Sequence, residues 1–196
     1  ASGSMLSKIE GQRKFDIACD AVRQLASALP QDTHVALRVY GHRKRAIEEG
    51  ASEDTELVLP FGELELETFF GHLDALRPRG KTPLTLSLEE AHRDLASAPD
   101  GRGAIVVLLT DGGEDTRQDP VAAAGAWAGR SDVHLHVVGF DIGRPAWTRQ
   151  LKAIAEAADG VYVEVEEAAL LASLVLDTIR SAPPAFEVTG PSGEVV

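Results

Sequence analysis

AIVVLLTDGGED, residues 104–115, is the stretch whose reading decides the fold. Its first six residues are apolar without alternation, the pattern of a strand buried on both faces of a parallel sheet. A polar turn, Thr110-Asp111-Gly112-Gly113, follows at once. An α/β sheet binds its ligands there, beyond the carboxyl ends of its strands.

Working outward, residues 121–128 read as a helix and 133–140 as a second buried strand. Residues 147–158 give a helix, 161–165 a strand and 167–181 a closing helix. Upstream, Phe15, Ala18, Val22, Leu25 and Leu29 recur at three- and four-residue steps, which predicts an amphipathic helix over 8–29, ended by Pro30. Residues 34–40 read as a strand, and 56–59 as a short strand stopped by Pro60. Helices are predicted over 63–76 and 84–96, separated by the breakers Arg77-Pro78-Arg79-Gly80. Alternating strands and helices give an α/β class: a doubly wound, mainly parallel sheet flanked by helices. One domain covers 1–181. Residues 182–196 form a Pro-broken linker and a hairpin-like tail, in the manner of the start of a further β-rich module.

The alternation opens with a loop and a helix, so the strand that should feed this loop is not in the sequence. First strands of doubly wound sheets are commonly central. The sheet is therefore expected to lack its first central strand, with an N-terminal fragment as the expected supplier.

Composition bounds the function. The chain has 196 residues, is 44% hydrophobic and 26% charged, and carries a net charge of −12. That balance argues against sequence-independent nucleic-acid binding, which needs Lys and Arg against phosphates. The run His42-Arg43-Lys44-Arg45 reads as a solvated loop. No apolar run approaches the roughly 20 residues of a membrane span. Cys19, the only cysteine, lies within a helical apolar stripe and suits packing. A lone cysteine fits a reducing, cytoplasmic setting without deciding localisation.

Three polar segments fall at the ligand-binding end of such a sheet: Ser2-Gly3-Ser4 before the first long helix, Gly80-Lys81-Thr82-Pro83 before another, and Thr110 to Gly113. Several hydroxyls and one carboxylate make an all-oxygen site, suited to a hard divalent cation.

With these three motifs in order, the sequence resembles the von Willebrand factor A domain family and its metal-ion-dependent adhesion site. The family pattern is Asp-x-Ser-x-Ser, a distant Thr, and an Asp in a Thr-Asp-Gly turn. Ser2 and Ser4 match the serines, Thr82 in GKTPL the threonine, and Asp111 in LLTDG the aspartate. The likeness runs on through VALRVYGH, DTELVLPFGELE, LHVVGFDI and IAEAADGVYVEV. It implies that Ser2, Ser4, Thr82 and Asp111 hold a divalent cation, Mg²⁺ first, with Mn²⁺ or Ca²⁺ as substitutes. It also implies a protein partner that offers an acidic residue to the ion.

The family's first aspartate would immediately precede Ala1. Truncation explains such a start. So does self-processing, in which the cation polarises the Asp–Ala1 carbonyl and the aspartate, or the hydroxyl of Ser2, attacks it. On that reading Ala1 is a new N-terminus, and a docked fragment carries the first strand and the aspartate. Turnover of a separate substrate is not expected, because the loops hold no nucleophile–base–orienter set. ALRPRGKT also fits a loose phosphate-loop pattern, the mark of a nucleotide hydrolase. However, a helix is predicted before it where a strand is required, and Pro83 removes a backbone N–H.

Overall fold

The computed structural model describes residues 2–30, 32–98, 103–129 and 132–180. The predicted tail over 182–196 lies outside the described residues, as does Ala1.

Among the described residues, seven strands and six α-helices follow one another: β1 (Lys8–Ile9), β2 (Gln12–Arg13), α1 (Lys14–Ala28), β3 (His34–Tyr40), β4 (Thr55–Glu63), α2 (Leu66–Ala75), α3 (Leu84–Asp94), β5 (Ala104–Thr110), α4 (Pro120–Gly125), β6 (Val133–Phe140), α5 (Pro145–Ala157), β7 (Tyr162–Val165) and α6 (Ala168–Arg180). The parallel sheet β5-β6-β7, flanked by helices, is the expected α/β architecture. β3 and β4 form a separate antiparallel pair.

Three local departures from the predicted elements have physical reasons. The first helix starts at Lys14, because Glu10 and Gly11 take positive φ (52° and 88°) and turn residues 8–13 into a two-rung hairpin. It stops where Leu29 goes extended before Pro30, as the residue preceding proline prefers. β4 runs through Pro60 to Glu63. Its sole partner is β3, so the missing N–H can point away from the ladder.

No ladder joins β3 to β5, yet helices bridge them on both faces. On one face, Leu84 and Leu88 of α3 pack in a cluster with Tyr40, Val106 and Leu108. On the other, Phe15 of α1 belongs both to the cluster that takes in Val107 and Leu109 of β5 and to the cluster that takes in Val35 and Leu37 of β3. Between these two helical layers, no strand among the described residues pairs with the remaining edge of β3 or of β5. Burial follows suit. β6 is buried at seven of its eight positions, whereas Ile105 on β5 is 41% exposed.

The cores are otherwise closed. Trp127, Phe140, Leu135, Leu151 and Leu171 are almost fully buried. Each such side chain contributes roughly 1.5–3 kcal/mol of transfer free energy. This rigid base sets the carboxyl ends of β5 and β6 side by side.

Candidate metal centre

Asp111 follows β5 directly, and its side chain is 1% exposed. Ser4 Oγ donates to Asp111 Oδ1 at 2.8 Å and Ser2 Oγ to the same oxygen at 3.2 Å. The two hydroxyls lie 2.7 Å apart. Residues separated by more than a hundred positions thus converge on one carboxylate oxygen. Its neighbour, Asp111 Oδ2, is buried without a hydrogen-bond partner among the described residues. Buried polar atoms are rarely left so, and an orphaned carboxylate oxygen in a hydroxyl-lined recess fits a hard cation.

Backbone contacts bring Thr82 to the same corner. Ser2 bridges Gly80 in parallel, and Gly3 N donates to Gly80 O at 3.0 Å. The backbones meet closely here: a Cβ on Gly80 would stand 2.7 Å from both Gly41 Cα and Lys44 O. Thr82 is 5% exposed, and its N–H donates to Asp115 Oδ1 at 2.8 Å. Asp115 therefore fastens the Thr82 loop to the loop that carries Asp111. Among the described residues no three His, Cys, Asp or Glu side chains form a metal cluster. What the structure brings together here is two serine hydroxyls and one carboxylate, oxygen throughout, the donor type that hard cations take.

Glu114, Asp115 and Asp119, expected from sequence to form a solvated rim beside the site, have partners within the fold. Glu114 is a cap: Oε2 accepts from Thr85 N at 2.7 Å and Thr85 Oγ1 at 2.9 Å, holding the start of α3. Asp119 caps α4 through Val121 N and Ala122 N. From sequence Glu114 and Asp115 read as a solvated rim, because their partners Thr85 and Thr82 lie 29 and 33 residues away. Glu114 N donates to Gln150 Oε1 at 2.8 Å, and a Cβ on Gly113 would stand 2.5 Å from Trp147 Cδ1. The Asp111 loop is thereby pinned under α5. Burial pushes the Asp115 carboxyl above its ordinary range despite the bond from Thr82.

Lys14 was missed as well. Its ammonium lies 2.7 Å from Asp141 Oδ2 and 3.8 Å from Asp111 Oδ2. The basic run over 42–45 is no free patch: Arg43 N and Lys44 N both donate to Asp54 Oδ2, and Arg43 Nε to Oδ1. Lys81 donates to Ser52 Oγ, and α2 precedes its loop. A helix in that place removes the phosphate-loop reading.

Comparison with known proteins agrees with this fold. The family model for the von Willebrand factor type A domain matches residues 1–177. Over 172 residues, 85% of this chain and 76% of the relative, the sequence is 33% identical to the uncharacterised protein YwmD of Bacillus subtilis. YwmC of the same organism is 31% identical over 165 residues, covering 83% and 72%. Among solved structures, an aerotolerance-related membrane protein from Bacteroides fragilis superposes with a TM-score of 0.70 at 19% identity, covering 91% of this chain and 94% of that one. Proximal thread matrix protein 1 of the mussel byssus, described with a zinc-occupied MIDAS motif, gives 0.66 at 15% identity, over 91% of this chain and 43% of that one. By its fold, and by a family match that spans nearly all the described residues, this chain belongs to the von Willebrand factor type A domain family.

Proposed function

We propose that the chain is a protein-interaction module whose binding face is a divalent cation held by Ser2, Ser4, Thr82 and Asp111, in the manner of a metal-ion-dependent adhesion site. The observation that carries this reading is Asp111 Oδ2, buried with no hydrogen-bond partner among the described residues, beside two converging serine hydroxyls. The zinc-occupied MIDAS motif of the mussel protein supports a divalent ion on this fold. Mg²⁺ suits the all-oxygen set best. With a single carboxylate among the four ligands, the ion keeps most of its positive charge. An acidic side chain from a partner protein would complete its shell.

Melting curves in chelator and in excess Mg²⁺ test the reading. Mg²⁺ at a hundred times its Kd stabilises by about 2.7 kcal/mol, so the wild type melts higher with the ion. Ser4→Ala, Thr82→Ala and Asp111→Ala lose that gain. A wild-type chain indifferent to Mg²⁺, Mn²⁺ and Ca²⁺ rules the site out.

The interval between β3 and β5 is read, in the same proposal, as the berth of one added parallel strand, the part expected of an N-terminal fragment. Supporting it are the two edges left unpaired among the described residues, the helical layers above and below, and Ser2 in extended conformation (φ −66°, ψ 163°) beside Gly80. A filled berth protects β5 amides from hydrogen exchange as strongly as those of β6. Fast exchange along β5 with every segment of the mature protein present counts against it.

A further inference from the structure

Lys14 opens α1, but its side chain turns to the carboxyl ends of the sheet and is only 11% exposed. There it is anchored twice on Asp141, just past β6. Nζ lies 2.7 Å from Asp141 Oδ2 and donates to Asp141 O at 3.1 Å. The same ammonium stands 3.8 Å from Asp111 Oδ2, past β5. Asp141 holds a left-handed backbone, φ 49°, a conformation that Asp tolerates better than most residues.

An ionised carboxylate so deeply buried requires a compensating charge. Among the described residues, Lys14 is the only basic side chain within 4.0 Å of Asp111. Yet 3.8 Å is beyond hydrogen-bond reach. Lys14 therefore compensates the charge of Oδ2 without occupying its lone pairs. The anchor on Asp141 keeps the ammonium in place when another cation arrives, and like charges a few ångströms apart in a poorly hydrated site repel strongly.

We propose that Lys14 is the resident counter-cation of this site. It balances Asp111 while no divalent ion is bound, and it opposes the ion that binds. Lys14 thereby sets the cation concentration at which the site loads. This rests on the reading of Asp111 as a metal ligand.

The test compares Mg²⁺ affinity, by titration calorimetry, for the wild type, Lys14→Met and Lys14→Arg, together with urea unfolding in chelator. Methionine keeps an apolar stem of similar length and removes the charge, whereas arginine keeps the charge. Lys14→Met is expected to bind Mg²⁺ about tenfold tighter, the scale of one charge–charge interaction at this range, and to unfold at lower urea without metal. Lys14→Arg is expected to stay near the wild type in both. Lys14→Met binding Mg²⁺ no tighter than the wild type overturns the proposal, as does unchanged stability in chelator. If none of the three proteins binds Mg²⁺, the metal-site reading itself fails and takes the proposal with it, an outcome distinct from the other two.

Discussion

Tyr40 Oη donates to Thr110 Oγ1 at 2.8 Å, tying the last residue of β3 to the last residue of β5 across strands that share no ladder. Thr110 Oγ1 passes the contact on, donating to Gly112 O at 2.9 Å and so shaping the turn that carries Asp111. The bond is partly buried, and burial drives the Tyr40 hydroxyl far above its ordinary pKa, keeping it protonated as a donor. Tyr40→Phe removes the link and leaves Thr110 short of one partner. A loss of about 1 kcal/mol in urea unfolding is expected, and an unchanged midpoint would show that the two halves need no such tie.

Gly113 sits where a Cβ would meet Trp147 Cδ1 at 2.5 Å and Gln150 Oε1 at 2.6 Å. Gly113→Ala must push α5 off the loop. It is expected to cost about 1–3 kcal/mol, the usual penalty of overpacking, with altered tryptophan fluorescence and weaker Mg²⁺ binding. Native stability in this variant would mean that the loop is not clamped.

Much of this was legible in sequence. The apolar runs at 104–109 and 133–140 declared parallel strands, and Thr110–Gly113 declared the polar turn that ends the first of them. Those signals are local, so spacing and residue type suffice. The partners of the loop were not legible. Lys14 looked like one charged residue of an amphipathic helix, and only the fold carries it 127 positions along the chain to Asp141. Glu114 and Asp115 resembled any acidic loop, since a cap is recognised only when the N–H it receives is known. The β1–β2 hairpin was hidden for a different reason: the apolar period of α1 extrapolates smoothly backwards, and Gly11 breaks it.

Asp54 should confer a pH dependence. Burial raises its carboxyl, but N–H groups of Lys44 and Arg43, with the Arg43 guanidinium, outweigh that and hold it below the ordinary 3.8. A carboxyl depressed in the folded state stabilises above its unfolded pKa and loses that contribution as pH falls through the folded value. Asp54→Asn is therefore expected to be destabilised by about 1–3 kcal/mol at pH 7. The gap to the wild type should shrink as pH drops below about 4. A gap constant with pH would remove the charge from the account of this loop.

Cys19 is 7% exposed, and burial pushes its thiol up to about 11. Thiolate is the reactive form, so a disulfide reagent at pH 8 should label native protein far more slowly than urea-unfolded protein. Equal rates would place Cys19 outside the core of α1.

The most direct measurement is an anomalous difference map from crystals of the protein grown with Mn²⁺. The account predicts one peak within about 2–2.5 Å of Asp111 and the Ser2 and Ser4 hydroxyls, the range of hard cations on oxygen, with Thr82 in the same shell directly or through water. A fully occupied Mn²⁺ peak elsewhere, with Asp111 Oδ2 still bare, would contradict it.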